Sequence, residues 1–85
     1  MSLPQIRVYS RPGCHICEEL VEALLPRVRR RAEVEVVDID TRDDWRKAYD
    51  IRVPVVELNG QFVCQYTLDT DALENALAGK PPAPV

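Results

Sequence analysis

The feature that most constrains the fold of this 85-residue chain is a change of hydrophobic period across Pro12-Gly13. Before it, residues 5–10 (QIRVYS) alternate, with Ile6 and Val8 on one face and Arg7 and Tyr9 on the other, the period of a strand. After it, Cys17, Leu20, Val21, Leu24, Leu25 and Val28 fall at i, i+3, i+4, i+7, i+8 and i+11, one stripe of an α-helix. Glu18, Glu19 and Glu22 fill the outer face near the helix start, where the dipole favours acids. β-Branched residues return at 33–39 (EVEVVDI), a second strand. Two strands joined through a helix lie parallel with a right-handed crossover. Pro26 inside the stripe lacks a donor and clashes backwards, so the last turn kinks or the regular helix ends there.

The rest of the chain extends this unit. Asp40, Thr41, Arg42 and Asp43 supply cap candidates for a short helix running to about Tyr49, with Trp45, Ala48 and Tyr49 as its inner face. Residues 53–58 (VPVVEL) make a third strand, and Asn59-Gly60 turns it into an antiparallel fourth, residues 61–66 (QFVCQY). Residues 67–71 offer N-caps for a last helix with Leu73, Ala76 and Leu77 inside, closed by Gly79. The order β-α-β-α-β-β-α gives an α/β domain, a four-stranded mixed sheet flanked by helices. Residues 1–79 form one domain, and 80–85 (KPPAPV) a Pro-rich flexible tail.

Composition removes several function classes. The net charge of -3 opposes a nucleic-acid binder held by phosphate contacts. Arg27, Arg29, Arg30 and Arg31 read as a solvated helix end, cations near the negative dipole. No apolar run reaches the roughly 20 residues of a membrane span. The first residues lack the pattern of a secretion signal, so a cytoplasmic location is expected. Three cysteines is an odd set for a secreted disulfide scaffold. In a reducing compartment a Cys-x-x-Cys pair is more often catalytic or metal-binding than structural.

Residues 11–17 (RPGCHIC) carry the chemistry. A helix beginning near Cys14 points unpaired N–H groups and a positive dipole end at its sulfur, and both favour a thiolate. Thiolates in such places reach pKa values of roughly 3.5–7.5. Cys14 at the open end is the candidate nucleophile, and Cys17, one turn along and part of the apolar stripe, the resolving thiol. Arg11 can add to this by charge, as can a protonated His15, whereas a neutral His15 would contribute little. A zinc site needs four ligands, and beyond the pair only Cys64 and His15 remain, with His15 awkwardly between the cysteines. An iron–sulfur cluster shared between two chains needs fewer ligands from each and stays open, as does a vestigial pair. A structural disulfide would close a very short loop.

The strand, the Arg-Pro-Gly-Cys-His-Ile-Cys helix opening, Val37-Asp38-Ile39-Asp40, residues 51–56 (IRVPVV), the hairpin and the final helix together resemble the glutaredoxin-like branch of the thioredoxin-fold family, over residues 5–78. The resemblance implies a thioredoxin/glutaredoxin-like fold and a thiol–disulfide oxidoreductase in which Cys14 attacks and Cys17 resolves. It also implies that Val53-Pro54 is a cis peptide beside Cys14, with the backbone of Val53 offering strand-like hydrogen bonds to a bound thiol. The sequence departs from the family in three places. His-Ile stands between the cysteines where Pro-Tyr is common, and Arg52 replaces the threonine before Val-Pro. The Gly-Gly turn after the fourth strand, which leads to groups holding one end of glutathione, is replaced by residues 64–69 (CQYTLD). That last departure counts against glutathione, as ligand or reductant. The remaining candidates to meet it are Arg11, for a carboxylate, and Thr67 and Asp69, through helix N-terminal amides.

The expected partners are a disulfide-containing protein or a low-molecular-weight thiol, with a reductase or glutathione as electron source. A monomer is expected, with no tightly bound cofactor, metal, nucleic acid or membrane. The alternative is a non-catalytic thioredoxin-fold binding module or a metal or iron–sulfur carrier. Cys64 reads as a packed strand residue or a third redox thiol, and Trp45 and Tyr49 as helix-face packing or a docking patch. Tyr9 either packs under the site or lines it. His15 reads as an exposed modulator, and Asp38, Asp40, Asp43 and Asp44 as a solvated loop with helix caps.

Overall fold

The computed structural model describes residues 3–79; the Pro-rich tail expected at 80–85 lies outside the described residues. The elements are β1 (Gln5–Ser10), α1 (His15–Val28), β2 (Glu33–Asp38), a 3-10 turn (Ile39–Thr41), α2 (Asp43–Tyr49), β3 (Val55–Leu58), β4 (Gln61–Gln65) and α3 (Thr70–Leu77). They build a four-stranded mixed sheet in the order β2-β1-β3-β4. β1 pairs parallel with β2 and antiparallel with β3, and β3 antiparallel with β4. The βαβ unit and the hairpin therefore stand as the hydrophobic periods require. At the hairpin both Asn59 (φ 49°) and Gly60 (φ 83°) are left-handed, the conformation of a tight primed turn.

The two faces of the sheet bury different things. Ile6, Val8, Val56, Leu58 and Cys64 face Leu20, Leu24 and Val28 of α1 and Leu73 of α3. On the opposite face Tyr9 and Val55 pack with Ile39, and Val37, Trp45, Tyr49 and Val53 complete that smaller cluster. Tyr9 thus packs beneath the sheet rather than lining a cleft. Its ring stacks on Tyr49 at 4.1 Å and meets Trp45 edge-on at 5.7 Å. Glu57 accepts hydrogen bonds from the hydroxyls of both Tyr9 and Tyr49, each 3.2 Å.

Several local expectations are corrected. α1 does not end at Pro26 but continues to Val28. Pro26 lies in the last turn, where its missing N–H costs one bond, to the carbonyl of the exposed residue Glu22. The apolar stripe is narrower than its spacing implies: Cys17, Leu20, Leu24 and Val28 are buried, whereas Leu25 is 49% exposed. β2 stops at Asp38, whose carboxylate accepts from the Asp40 N–H (2.8 Å) and opens the 3-10 turn. A short acceptor so close to the backbone competes with the strand ladder. α2 consequently starts at Asp43, with Arg42 at the N-cap position making no side-chain cap, and Ala48 faces outward. β3 begins at Val55, since Pro54 has no N–H to donate. β4 ends at Gln65, before Tyr66 at φ 69°. α3, by contrast, is capped as expected from within residues 67–71, by Asp69, which accepts from the Ala72 N–H at 3.0 Å.

The arginines after α1 are exposed, and Arg31 clasps Glu74 of α3 through two hydrogen bonds of 2.7 and 3.1 Å. No helix among the described residues is long and apolar enough to cross a membrane.

Candidate active site

β1 delivers the chain to the site. After Ser10 the Cys14 N–H donates to the Arg11 carbonyl (3.1 Å), closing a turn in which Gly13 takes φ 78°. A side chain there would be strained, so the glycine sets the approach to Cys14. Cys14 is the N-cap of α1, with extended backbone (φ -84°, ψ 105°). Its sulfur accepts from the Cys17 N–H at 3.3 Å, and its carbonyl accepts from the Glu18 N–H at 3.2 Å. Cys14 and Cys17 are joined as a disulfide, their Cα atoms 5.3 Å apart. Cys14 is half-buried and Cys17 only 3% exposed. In the reduced pair the same Cys17 N–H and the positive end of α1 stand ready for a negative charge on the Cys14 sulfur.

Val53-Pro54 is a cis peptide. Tyr9 pairs with Val55, so the chain leaving β1 and the chain entering β3 lie side by side at one end of the sheet. The turn after β4 reaches the same place, because the Tyr66 N–H donates to the Pro54 carbonyl (2.8 Å) and the Tyr66 hydroxyl to the Ile51 carbonyl (3.4 Å). Thr67 follows directly, exposed, its N–H donating to the Gln65 carbonyl at 2.8 Å. The carboxylate of Asp69 is engaged in capping its own helix. Arg52, the residue before Val53-Pro54, donates to Gln65 (3.2 Å) and lies over the Tyr49 ring at 5.7 Å.

The two basic residues beside the cysteines in sequence, Arg11 and His15, each meet a carboxylate. Arg11 donates to the carboxylates of Asp50 (2.8 Å) and Asp40 (3.2 Å) and to the Asp50 carbonyl (3.3 Å). Asp50 above all, then Asp40, raises the already high Arg11 pKa against the opposing effect of burial. Arg11 Nε is buried without a partner among the described residues. Arg11 therefore ties the loop before Cys14 to the loop before Val53-Pro54. His15 is 81% exposed and lies 3.1 Å from Glu19. Asp50 carries no signal in the sequence, and Asp40 reads there as a solvated loop residue. A pairing 39 residues distant leaves no local pattern to detect.

Cys64 sits apart, in β4 opposite Val56 and 6% exposed. Burial pushes its thiol pKa up. Among the described residues no group of three or more His, Cys, Asp or Glu side chains is placed to hold a metal ion.

Comparison with known proteins gives the same outline. Residues 5–78 match the glutaredoxin-like domain family (DUF836). The chain is similar to a glutaredoxin-like protein, the YDR286C homolog of Dictyostelium discoideum, with 28% identity over 75 residues, 80% of this chain and 69% of that protein. It is similar to the solution NMR structure of protein Ne2328 from Nitrosomonas europaea, with 32% identity, a TM-score of 0.80, and coverage of 89% of this chain and 93% of that one. Oxidised thioredoxin O1 from Arabidopsis thaliana shares the fold at 18% identity, with a TM-score of 0.62 over 93% of this chain and 78% of its own.

Proposed function

The chain belongs to the glutaredoxin-like domain family, and on that premise we propose that it is a dithiol–disulfide oxidoreductase. The observation that carries this reading is the Cys14 sulfur at the N-cap of α1, accepting the Cys17 N–H and bonded to the Cys17 sulfur. In the forward direction the Cys14 thiolate attacks one sulfur of a substrate disulfide. A Cys14–substrate disulfide forms, and the other substrate sulfur leaves as a thiolate that takes a proton from water. Cys17 then gives up its proton and attacks the Cys14 sulfur. The mixed disulfide breaks, the second substrate thiol leaves, and the two electrons delivered to the substrate leave Cys14 and Cys17 as a disulfide. Two electrons and two protons from a thiol reductant, glutathione or a reductase-linked dithiol, restore the pair.

Cis Val53-Pro54 lies at the same end of the sheet as Cys14, which supports a role for the Val53 backbone in holding the substrate thiol. Arg11 is engaged by two carboxylates, so its role is to fix the loops around Cys14, and glutathione gains little from its charge. The protein acts as a monomer in a reducing compartment, the cytoplasm.

A Cys17→Ser variant tests the reading. Incubated with a disulfide substrate, it accumulates a mixed disulfide through Cys14, seen as an adduct by intact mass. A Cys14→Ser variant accumulates none. An adduct that forms equally well in both variants, or in neither, refutes the assignment.

A further inference from the structure

Beside Cys17 a groove of about 460 Å3 runs between α1 and β2. Its floor is apolar, with Val21 from the helix and Val36 from the strand. Val36 lies on the same sheet face as Val8, its register partner in β1, yet is 49% exposed. The rim is acidic, with Glu18 and Glu22 along α1 and Asp38 at the end of β2. None of these three carboxylates forms a salt bridge with a described residue, and Asp38, which caps the 3-10 turn through one oxygen, meets only a neutral N–H there. Arg11, the cation that lines the groove, turns its guanidinium to Asp40 and Asp50. β2 is also an edge strand, so one row of its N–H and C=O groups faces away from the sheet.

We propose that this groove is a docking subsite for an extended, basic–apolar segment of a protein substrate, next to the cysteine that Cys14 attacks. This deepens the oxidoreductase reading and rests on it. Charge decides among the occupants. A second copy of this chain would bring Glu33 and Asp38 of its own β2 to the edge, like charge against like, since its Glu35 is already paired with Arg7. Glutathione, with two carboxylates and one ammonium group, is also repelled by the rim. A strand with an apolar residue over Val21 and Val36 and lysine or arginine towards Glu18, Glu22 and Asp38 satisfies both the floor and the rim. From Cys17 to Glu22 α1 rises about 7.5 Å, so the basic residue lies roughly two to four extended residues from the attacked cysteine.

The test uses three short peptides, Cys-Gly-Lys-Val-Lys, Cys-Gly-Gln-Val-Gln and Cys-Gly-Glu-Val-Glu, each with its cysteine joined to thionitrobenzoate. Attack by Cys14 on the peptide sulfur releases the coloured thiol, and Cys17 then frees the peptide. The reduced protein should consume the lysine peptide about tenfold faster than the glutamate peptide, an advantage that shrinks in high salt. Glu22→Lys and, separately, Val36→Lys should bring the lysine-to-glutamate ratio to about one or below. The ratio cancels any change in Cys14 reactivity common to both peptides. Binding is read independently of chemistry by titrating the serine analogue of the lysine peptide into the oxidised protein. Amide resonances of residues 18–22 and 36–38 should move. A ratio near one in the unmodified protein, or a ratio that survives both substitutions, overturns the proposal. Groove shifts with no thiol release from any peptide would instead refute the oxidoreductase reading and leave the groove as a binding site.

Discussion

Cys14 and Cys64 are the same residue type in one small domain, and they are built for opposite behaviour. Cys14 caps α1, half-buried, with an N–H donor at its sulfur and a second sulfur bonded to it. Cys64 lies in β4, packed among Ile6, Val8, Val56 and Leu73, and burial raises its pKa. A helix start supplies fixed dipoles that favour the thiolate, whereas a strand in an apolar core supplies nothing to replace lost water. On the proposed function, reactivity is a property of backbone position.

Alkylation gives the largest contrast. In the reduced protein at neutral pH, iodoacetamide should modify Cys14 about a hundredfold faster than Cys64, as thiolate fraction and exposure both favour it. Peptide mapping after a timed quench measures this, and equal rates would erase the distinction. A smaller effect belongs to packing. Cys64→Ser places a hydroxyl in the core and should lower unfolding stability by about 1–3 kcal/mol in urea, with dithiol exchange through Cys14 unchanged. Loss of exchange in that variant, while it remains folded, would make Cys64 part of the redox chemistry.

The smallest effect is in pH. In the oxidised protein Cys64 is the remaining free thiol. Its folded pKa lies above the unfolded value of about 8.5, so the stability from burying the neutral thiol is complete below that pH. It is lost as pH rises towards the folded pKa, because only the unfolded chain releases the proton. Cys64→Ala should therefore flatten the stability–pH curve above about pH 8.5, by less than about 1.4 kcal/mol per pH unit. Parallel curves would place Cys64 in a wetter setting than its burial indicates.

Much of the scaffold was legible because its signals are local. The alternation of residues 5–10, the stripe ending at Val28, Asn59-Gly60 and the Asp69 cap each act within a few residues of themselves. The elements that escaped are those where a side chain competes with the backbone or reaches far. Asp38 cut β2 short through its carboxylate. Ala48 follows the helical period but is exposed, in a seven-residue helix that buries none of its residues fully. The cysteine pair was legible as a helix opening, and its loop clamp was not. Arg11 reads as a free cation in sequence and stands between Asp40 and Asp50 in the structure.

The sequence by itself determined the order of elements, the mixed sheet and the position of Cys14 at a helix start, because hydrophobic period and turn chemistry are written in neighbouring residues. Only the tertiary structure decided the electrostatic setting of that cysteine. Folding brought Arg11 to carboxylates 29 and 39 residues away and left Glu18, Glu22 and Asp38 around an open groove. Whether a charge is spent inside the fold or left for a partner depends on distances in space, which chain order does not encode.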